Sequence, residues 1–177
     1  MEYPTALRPV STEPFTLPNG HVVRVSKACP RFTIWRGDPP FEHLKSTLKR
    51  KRALSFNGEP MFAEIATLRL LESAGWSGVW VDTFHRRYRV AVETYINVPA
   101  ERAALLAEIE HAVGKRGGCF DLYAWRGNAV LFAELKLAGE DRIRPSQRRW
   151  LAGALACGLP VESFLVVEWD SLQEAVP

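Results

Sequence analysis

The sequence predicts an α/β domain with a central mixed β-sheet flanked by helices. From Glu59 to the C-terminus, segments with helical periodicity alternate with short β-rich segments, which is the order typical of this fold class. The chain has 177 residues, enough to bury a substantial core. Its composition, 47% hydrophobic and 24% charged, is that of an ordinary globular domain.

Residues 1–58 are predicted to be an N-terminal accessory region. It begins with a Pro-rich arm over 1–20, and HVVRVSK and RFTIWRG are expected to form a hairpin across ACP. GDPP at 37–40 then breaks the chain before a basic segment. No apolar run reaches the roughly 18 residues of a membrane span, and the N-terminus lacks an apolar signal core, so we expect a cytoplasmic protein with no membrane contact.

Residues 59–177 carry the ordered pattern. EPMFAEIATLRLLESAGW is predicted to be a helix with Pro60 in its first turn and Gly75 at its end. SGVWVDTF and RYRVAVETYINV are predicted strands, and PAERAALLAEIEHAVGKRGG is a second helix opened by Pro99. Part of this stretch, about 83–117, exceeds what a minimal core needs and is interpreted as an insertion.

The next elements are CFDLYAW and AVLFAELKL, two strands joined by a turn at Gly127 and Asn128. PSQRRWLAGALACG is predicted to be a third helix that begins at Pro145 and ends at Gly158, and VESFLVVEW is a final apolar strand. With this turn, cross-strand pairing places Asp121 directly opposite Glu134 on one face of the hairpin.

Lys136 shares that face because it lies two residues after Glu134 along the strand. Two adjacent carboxylates repel unless a cation lies between them, and Mg²⁺ commonly pairs one or two carboxylates with a substrate phosphate. The pattern therefore indicates metal-assisted phosphodiester hydrolysis, with Lys136 orienting the attacking water. An exposed ladder of salt bridges is the open alternative. The three cysteines and four histidines are scattered and show no zinc-binding spacing.

Basic residues form four separate clusters: KSTLKRKR (45–52), HRRYR (85–89), GKRGG (114–118) and RIRPSQRR (142–149). Clusters of this kind suit a polyanion, because phosphates supply most non-specific affinity in nucleic-acid binding. A solvated surface explains any single cluster equally well, but four in one small chain favour nucleic acid.

Three stretches together resemble a known nuclease family. GCFD (118–121), ELK (134–136) and GEDRIRPSQRRWL (139–151), followed by SFLVVEW (163–169), are similar to the VRR-NUC branch of the PD-(D/E)xK nuclease superfamily. The resemblance covers roughly residues 60–170 and implies a restriction-endonuclease-like core. Phe120 departs from the family pattern, which usually has proline before the aspartate.

The resemblance also implies site residues. Asp121 and Glu134 match the metal-binding carboxylates, the carbonyl of Leu135 matches a further ligand, and Lys136 matches the catalytic lysine. Gln147 matches the glutamine of the following helix, and helical spacing directs its amide inward; a first-turn polar residue bonded to local backbone is the alternative. The superfamily supplies one more glutamate from the helix before the first strand. Glu64 is favoured, and Glu72 is the rival.

We therefore expect a Mg²⁺-dependent nuclease that hydrolyses DNA, with Mn²⁺ able to replace Mg²⁺. The flap, the junction and the duplex end are all candidate substrates, in repair, recombination or phage DNA processing. Phosphates flanking the site are expected to contact Arg142, Arg144, Arg148 and Arg149. The resemblance leaves a homodimer open. Two rivals also remain: a non-catalytic nucleic-acid-binding module with the same fold, and a structural protein that binds an acidic partner.

Overall fold

The computed structural model describes residues 2–38, 40–41, 43–44, 48, 51–82, 87–114 and 117–172, and this part of the chain is an α/β protein. Its helices are α1 (Ala63–Ser73), α2 (Ala100–Val113) and α3 (Pro145–Ala156), with short 3-10 turns at Thr5–Leu7 and Val161–Ser163. Within the described ranges, no helix combines the length and apolar character that crossing a membrane requires.

The strands, in chain order, are β1 (Ser11–Thr16), β2 (Val22–Ala28), β3 (Arg31–Ile34), β4 (Leu54–Phe56), β5 (Glu59–Met61), β6 (Ser77–Asp82), β7 (Arg87–Arg89), β8 (Tyr95–Ile96), β9 (Leu122–Arg126), β10 (Ala129–Leu137) and β11 (Phe164–Leu172). They form one mixed sheet in the order β5-β4-β3-β11-β10-β9-β6-β7-β8, and β2 joins it beside β11 and carries β1. Most pairs are antiparallel, whereas β10, β2 and β3 run parallel to β11.

Apolar side chains cover both faces of the central strands. One face packs against α1, and its core includes Leu122, Leu131 and Leu165. The opposite face packs against α2 and α3 around Phe132, whose ring centroid is 4.7 Å from that of Tyr123. Burial on both faces explains why β10 reads as a nearly continuous apolar run.

The predicted turn and register of the central hairpin are confirmed. Gly127 and Asn128 form the turn, and Val130 pairs with Trp125. Gly127 has φ +55°, a left-handed conformation that glycine adopts without steric cost. The general α/β prediction and the three predicted helices are also found in the structure.

Three local predictions differ from the structure. β2 and β3 do not form a hairpin with each other: β2 pairs with β1 and β11, and β3 pairs with β11 and β4. The first helix begins at Ala63, because Pro60 lies in β5, which forms a hairpin with β4. The turn of that hairpin is Asn57-Gly58, both with positive φ, a strong turn signal that the prediction overlooked.

The remaining difference concerns the insertion. RYRVAVETYINV forms two short strands, β7 and β8, instead of one. Residues 45–47, 49–50, 85–86 and 115–116 of the basic clusters lie outside the described residues. The N-terminal strands belong to the same sheet as the rest of the chain. The domain boundary at residue 58 stays a prediction.

Candidate active site

Asp121 and Glu134 meet where β9 begins and β10 approaches its end. The β9–β10 ladder ends at the Ala133–Leu122 pair; Asp121 directly precedes Leu122, and Glu134 directly follows Ala133. The Asp121 carboxylate is held in place because its Oδ2 accepts a hydrogen bond of 2.9 Å from the backbone N–H of Leu135. The strand register therefore brings together the two carboxylates predicted from the sequence.

The Glu134 carboxylate is buried and has polar partners on one oxygen. Its Oε1 accepts a hydrogen bond of 2.7 Å from Lys136 Nζ and a second from Gln147 Nε2. Glu134 is 2% exposed, Lys136 7% and Gln147 8%, so the three side chains form one buried cluster. Its other oxygen, Oε2, is buried and lacks a hydrogen-bond donor within the described part of the chain.

Gln147 connects the start of α3 to this cluster. Its Oε1 accepts a hydrogen bond of 2.7 Å from the backbone N–H of Arg144, while its Nε2 donates to Glu134. Both predicted descriptions of Gln147 hold together: the side chain satisfies the helix N-terminus and also points inward. The amide thus fixes the orientation of the Glu134 carboxylate relative to α3.

Gly118 permits the close approach of the loop before β9 to α3. Its φ is +91°, and a Cβ at this position would lie 2.3 Å from the carbonyl oxygen of Ser146. Because only glycine avoids both the strain and the clash, Gly118 positions Asp121 and Gln147 on neighbouring segments.

Glu64 lies at this site, whereas its rival Glu72 does not. The Glu64 side chain is 6% exposed and accepts a hydrogen bond from Lys51 Nζ. Its charge acts on Asp121, where it raises the carboxyl pKa. Glu72 instead pairs with Arg69 at 2.5 Å, one turn away on the same helix. Of the two candidates, Glu64 is the one whose charge acts on Asp121, and its role as a metal ligand stays a prediction.

The pKa values reflect crowding of negative charge. Burial raises the pKa of Asp121, and Glu64 adds to the rise, against the opposing effects of the Leu135 N–H and the two lysines Lys51 and Lys136. Burial also raises the pKa of Glu134 well above its ordinary value, and the neighbouring Asp121 charge acts in the same direction. The site therefore holds protons more tightly than free carboxyl groups do.

Lys51 and Asp141 are charged neighbours of the site that the prediction did not single out. Burial favours a lower pKa for Lys51, but the nearby carboxylates, Glu64 foremost, outweigh it and raise the pKa. Asp141 contributes to that rise, and its Oδ2 accepts a hydrogen bond of 3.0 Å from the N–H of Leu137. Asp141 was visible in the GEDRIRPSQRRWL match, while Lys51 was counted only as part of a basic cluster.

The four arginines predicted to contact phosphates lie on α3 or just before it. Arg142, Arg144 and Arg149 are exposed, and Arg148 is half-buried. The Nε of Arg148 is buried without a hydrogen-bond partner among the described residues. All four lie within five residues of Gln147 in the chain, so positive charge is concentrated in the segment that begins α3.

Two recesses near the β7–β8 hairpin lie outside the carboxylate cluster. One of about 380 Å³ is lined by His43, Leu44, Leu48, Arg87, Arg89, Glu93 and Tyr95, and one of about 370 Å³ is lined by Arg87, Tyr88, Tyr95, Ile96 and Asn97. The first recess and Lys51 share a neighbour, the ring of Trp80. The Arg89 guanidinium lies 5.2 Å from the centroid of this ring, and Lys51 Nζ lies 5.3 Å from it.

The donor set is compatible with a hard divalent ion. In the described part of the chain, no group of three or more His, Cys, Asp or Glu side chains is placed to hold a metal. Mg²⁺ does not need such a group, because it commonly binds one or two carboxylates and keeps several waters. Glu134 Oε2, buried and without a donor, is the kind of oxygen that such an ion would satisfy.

Comparison with protein-family models, with curated proteins and with solved structures finds no match to this chain.

Proposed function

We propose that this chain is a metal-dependent nuclease that hydrolyses DNA phosphodiester bonds, built on a restriction-endonuclease-like core of the VRR-NUC type. The observation that carries the proposal is the cluster of Asp121, Glu134, Lys136 and Gln147. Its two carboxylates are adjacent, and one buried oxygen of Glu134 has no donor in the described part of the chain. Buried like charges are costly, so their presence favours a cation as the missing partner.

Asp121, Glu134 and the carbonyl of Leu135 would hold Mg²⁺, or Mn²⁺ in its place. The chemistry that such an ion supplies is polarisation of a phosphoryl oxygen and a lower pKa for water. Lys136 places a buried ammonium beside Glu134, where it can offset charge that develops on the phosphate. Gln147 keeps the Glu134 carboxylate oriented through its bond to that side chain.

DNA is the proposed partner because positive side chains adjoin the site. Arg142, Arg144 and Arg149 are exposed and lie within five residues of Gln147 in the chain, and they would contact phosphates on either side of the cleaved bond. A homodimer would supply two such sites in one assembly, which suits paired cuts in a junction.

The test is cleavage of a labelled panel that contains single strands, duplexes, flaps and four-way junctions, each with Mg²⁺, Mn²⁺ or EDTA. Lys136→Ala is compared with Lys27→Ala. The control removes a lysine of β2 that pairs with Glu13 and Glu168. We expect metal-dependent cleavage that drops by about 10²-fold or more in Lys136→Ala, the loss typical of one electrostatic stabiliser. Lys27→Ala should retain cleavage.

Two outcomes would assign the chain to another class. Tight DNA binding that survives EDTA and is indifferent to Lys136→Ala, with no cleavage under any metal, would indicate a binding module. Counterion release makes nucleic-acid binding weaken steeply as salt is added. If the protein shows no such salt-dependent DNA binding, it would instead be a structural protein with an acidic partner.

A further inference from the structure

We propose that Lys51 is the built-in counter-charge of the metal-free carboxylate site and that it opposes binding of the divalent ion. The inference rests on the proposed function, because it concerns the ion of that same site. It also assigns a role to a residue of the N-terminal region, within the basic cluster 45–52.

The contacts of Lys51 place its ammonium inside the site. Its Nζ donates to Oε1 of Glu64, a side chain that is 6% exposed, and lies 5.3 Å from the centroid of the Trp80 ring. A buried carboxylate and an aromatic face therefore both attract the Lys51 ammonium. The ammonium lies at the end of the Glu64 carboxylate, which the family resemblance assigns to the metal.

The charges around Lys51 explain why a cation is held there. Asp121 and Asp141 both act on its ammonium in addition to Glu64. Together with Glu134, these are four carboxylates, against the two ammonium groups of Lys51 and Lys136.

A divalent ion and the Lys51 ammonium cannot both take Glu64 at close range without strong repulsion. The ion must therefore either displace the Lys51 ammonium from Glu64 or bind without Glu64 as a ligand. Displacement is feasible because the Lys51 side chain is 38% exposed and can turn its ammonium toward water. Loss of the Lys51 charge should then strengthen metal binding.

The opposite result is expected from a residue that merely supports Glu64. Without support, the carboxylate would lose its position and bind metal more weakly. The sign of the change in metal affinity therefore separates the two roles, and it can be read without any cleavage assay.

The experiment measures Mn²⁺ affinity of the full chain by electron paramagnetic resonance. Lys51→Met removes the charge and keeps the stem, and Lys51→Arg retains the charge. The matched control is Arg52→Met, which removes the neighbouring cation, paired with the exposed Glu140 at 2.5 Å. We expect at least tenfold tighter binding in Lys51→Met, near wild-type affinity in Lys51→Arg, and little change in Arg52→Met.

Each outcome decides a separate question. Suppose that the wild-type protein binds Mn²⁺ and that Glu134→Gln abolishes this binding. Unchanged or weaker Mn²⁺ affinity in a folded Lys51→Met protein then overturns this inference alone. Binding in none of the proteins overturns the metal site and the inference with it. Tighter binding in Lys51→Met without DNA cleavage supports the inference and overturns the nuclease function.

Discussion

Replacement of Lys136 by methionine tests how strongly the site depends on its buried ammonium. Lys136 is 7% exposed, and its Nζ lies 2.7 Å from a Glu134 carboxylate that is 2% exposed. Breaking a buried pair by removing one partner costs about 3–5 kcal/mol, because the other charge stays buried and uncompensated. Methionine retains most of the stem, so the loss reports the charge.

The cost of Lys136→Met should depend on pH. Lys136 lowers the pKa of Glu134, so without it that pKa rises further above its already raised value. At low pH the carboxyl group is neutral, and the loss approaches that of one hydrogen bond, about 1 kcal/mol. At higher pH the full penalty of an unpaired carboxylate appears.

The assay is urea unfolding followed by tryptophan fluorescence in EDTA at pH 5 and pH 8. The control, Lys27→Met, removes a partly exposed lysine bonded to Glu13 and Glu168, and pairs of that kind contribute about 0–1 kcal/mol. An equal loss from both lysines at pH 8, or a Lys136→Met loss that is the same at both pH values, would refute the reasoning.

Three further predictions concern stability. Because the pKa values of Asp121 and Glu134 are raised in the metal-free fold, the stability that these two groups contribute is fully present below their unfolded pKa and is lost as pH rises through the folded values. Glu134→Gln should reduce this loss in urea titrations at increasing pH, and an unchanged pH dependence would contradict it. Gly118→Ala should cost more than 1 kcal/mol in thermal unfolding, because its Cβ meets the carbonyl of Ser146 at positive φ, and a neutral result would exclude that close approach. Phe132→Ala, which empties a fully buried ring position, should cost about 3–5 kcal/mol by calorimetry, and a loss below 1 kcal/mol would contradict its central place in the core.

The parts of the fold that were predictable from the sequence depend on local signals. Gly127-Asn128 gave the hairpin turn, and strand periodicity then placed Asp121 opposite Glu134. Pro99 and Pro145 marked the beginnings of α2 and α3 to within one residue. Each signal acts over a few residues, so no knowledge of distant packing was needed.

The errors arose where distant segments decide the structure. β2 and β3 looked like a hairpin because Pro30 lies between them, yet both pair with β11, more than 100 residues later. Lys51 carries no periodic signal that points to Glu64, since a long side chain reached the site from an irregular segment. Such contacts depend on how the whole sheet is assembled, which local propensity does not encode.

The energetics of the carboxylate cluster favour a functional interpretation over a purely structural one. Burial raises the pKa values of Asp121 and Glu134, and the Glu64 charge adds to the rise at Asp121 as the Asp121 charge does at Glu134. In the absence of a cation, the ionised carboxylates therefore destabilise the fold at neutral pH. A fold without a ligand for this site would be more stable with apolar or amide side chains in their places. Lys51, Lys136 and Gln147 lessen the cost but leave Glu134 Oε2 without a donor in the described chain. A bound divalent ion would neutralise both carboxylates and satisfy that oxygen, which is why metal-dependent stabilisation and metal-dependent cleavage are expected to be lost together in Glu134→Gln.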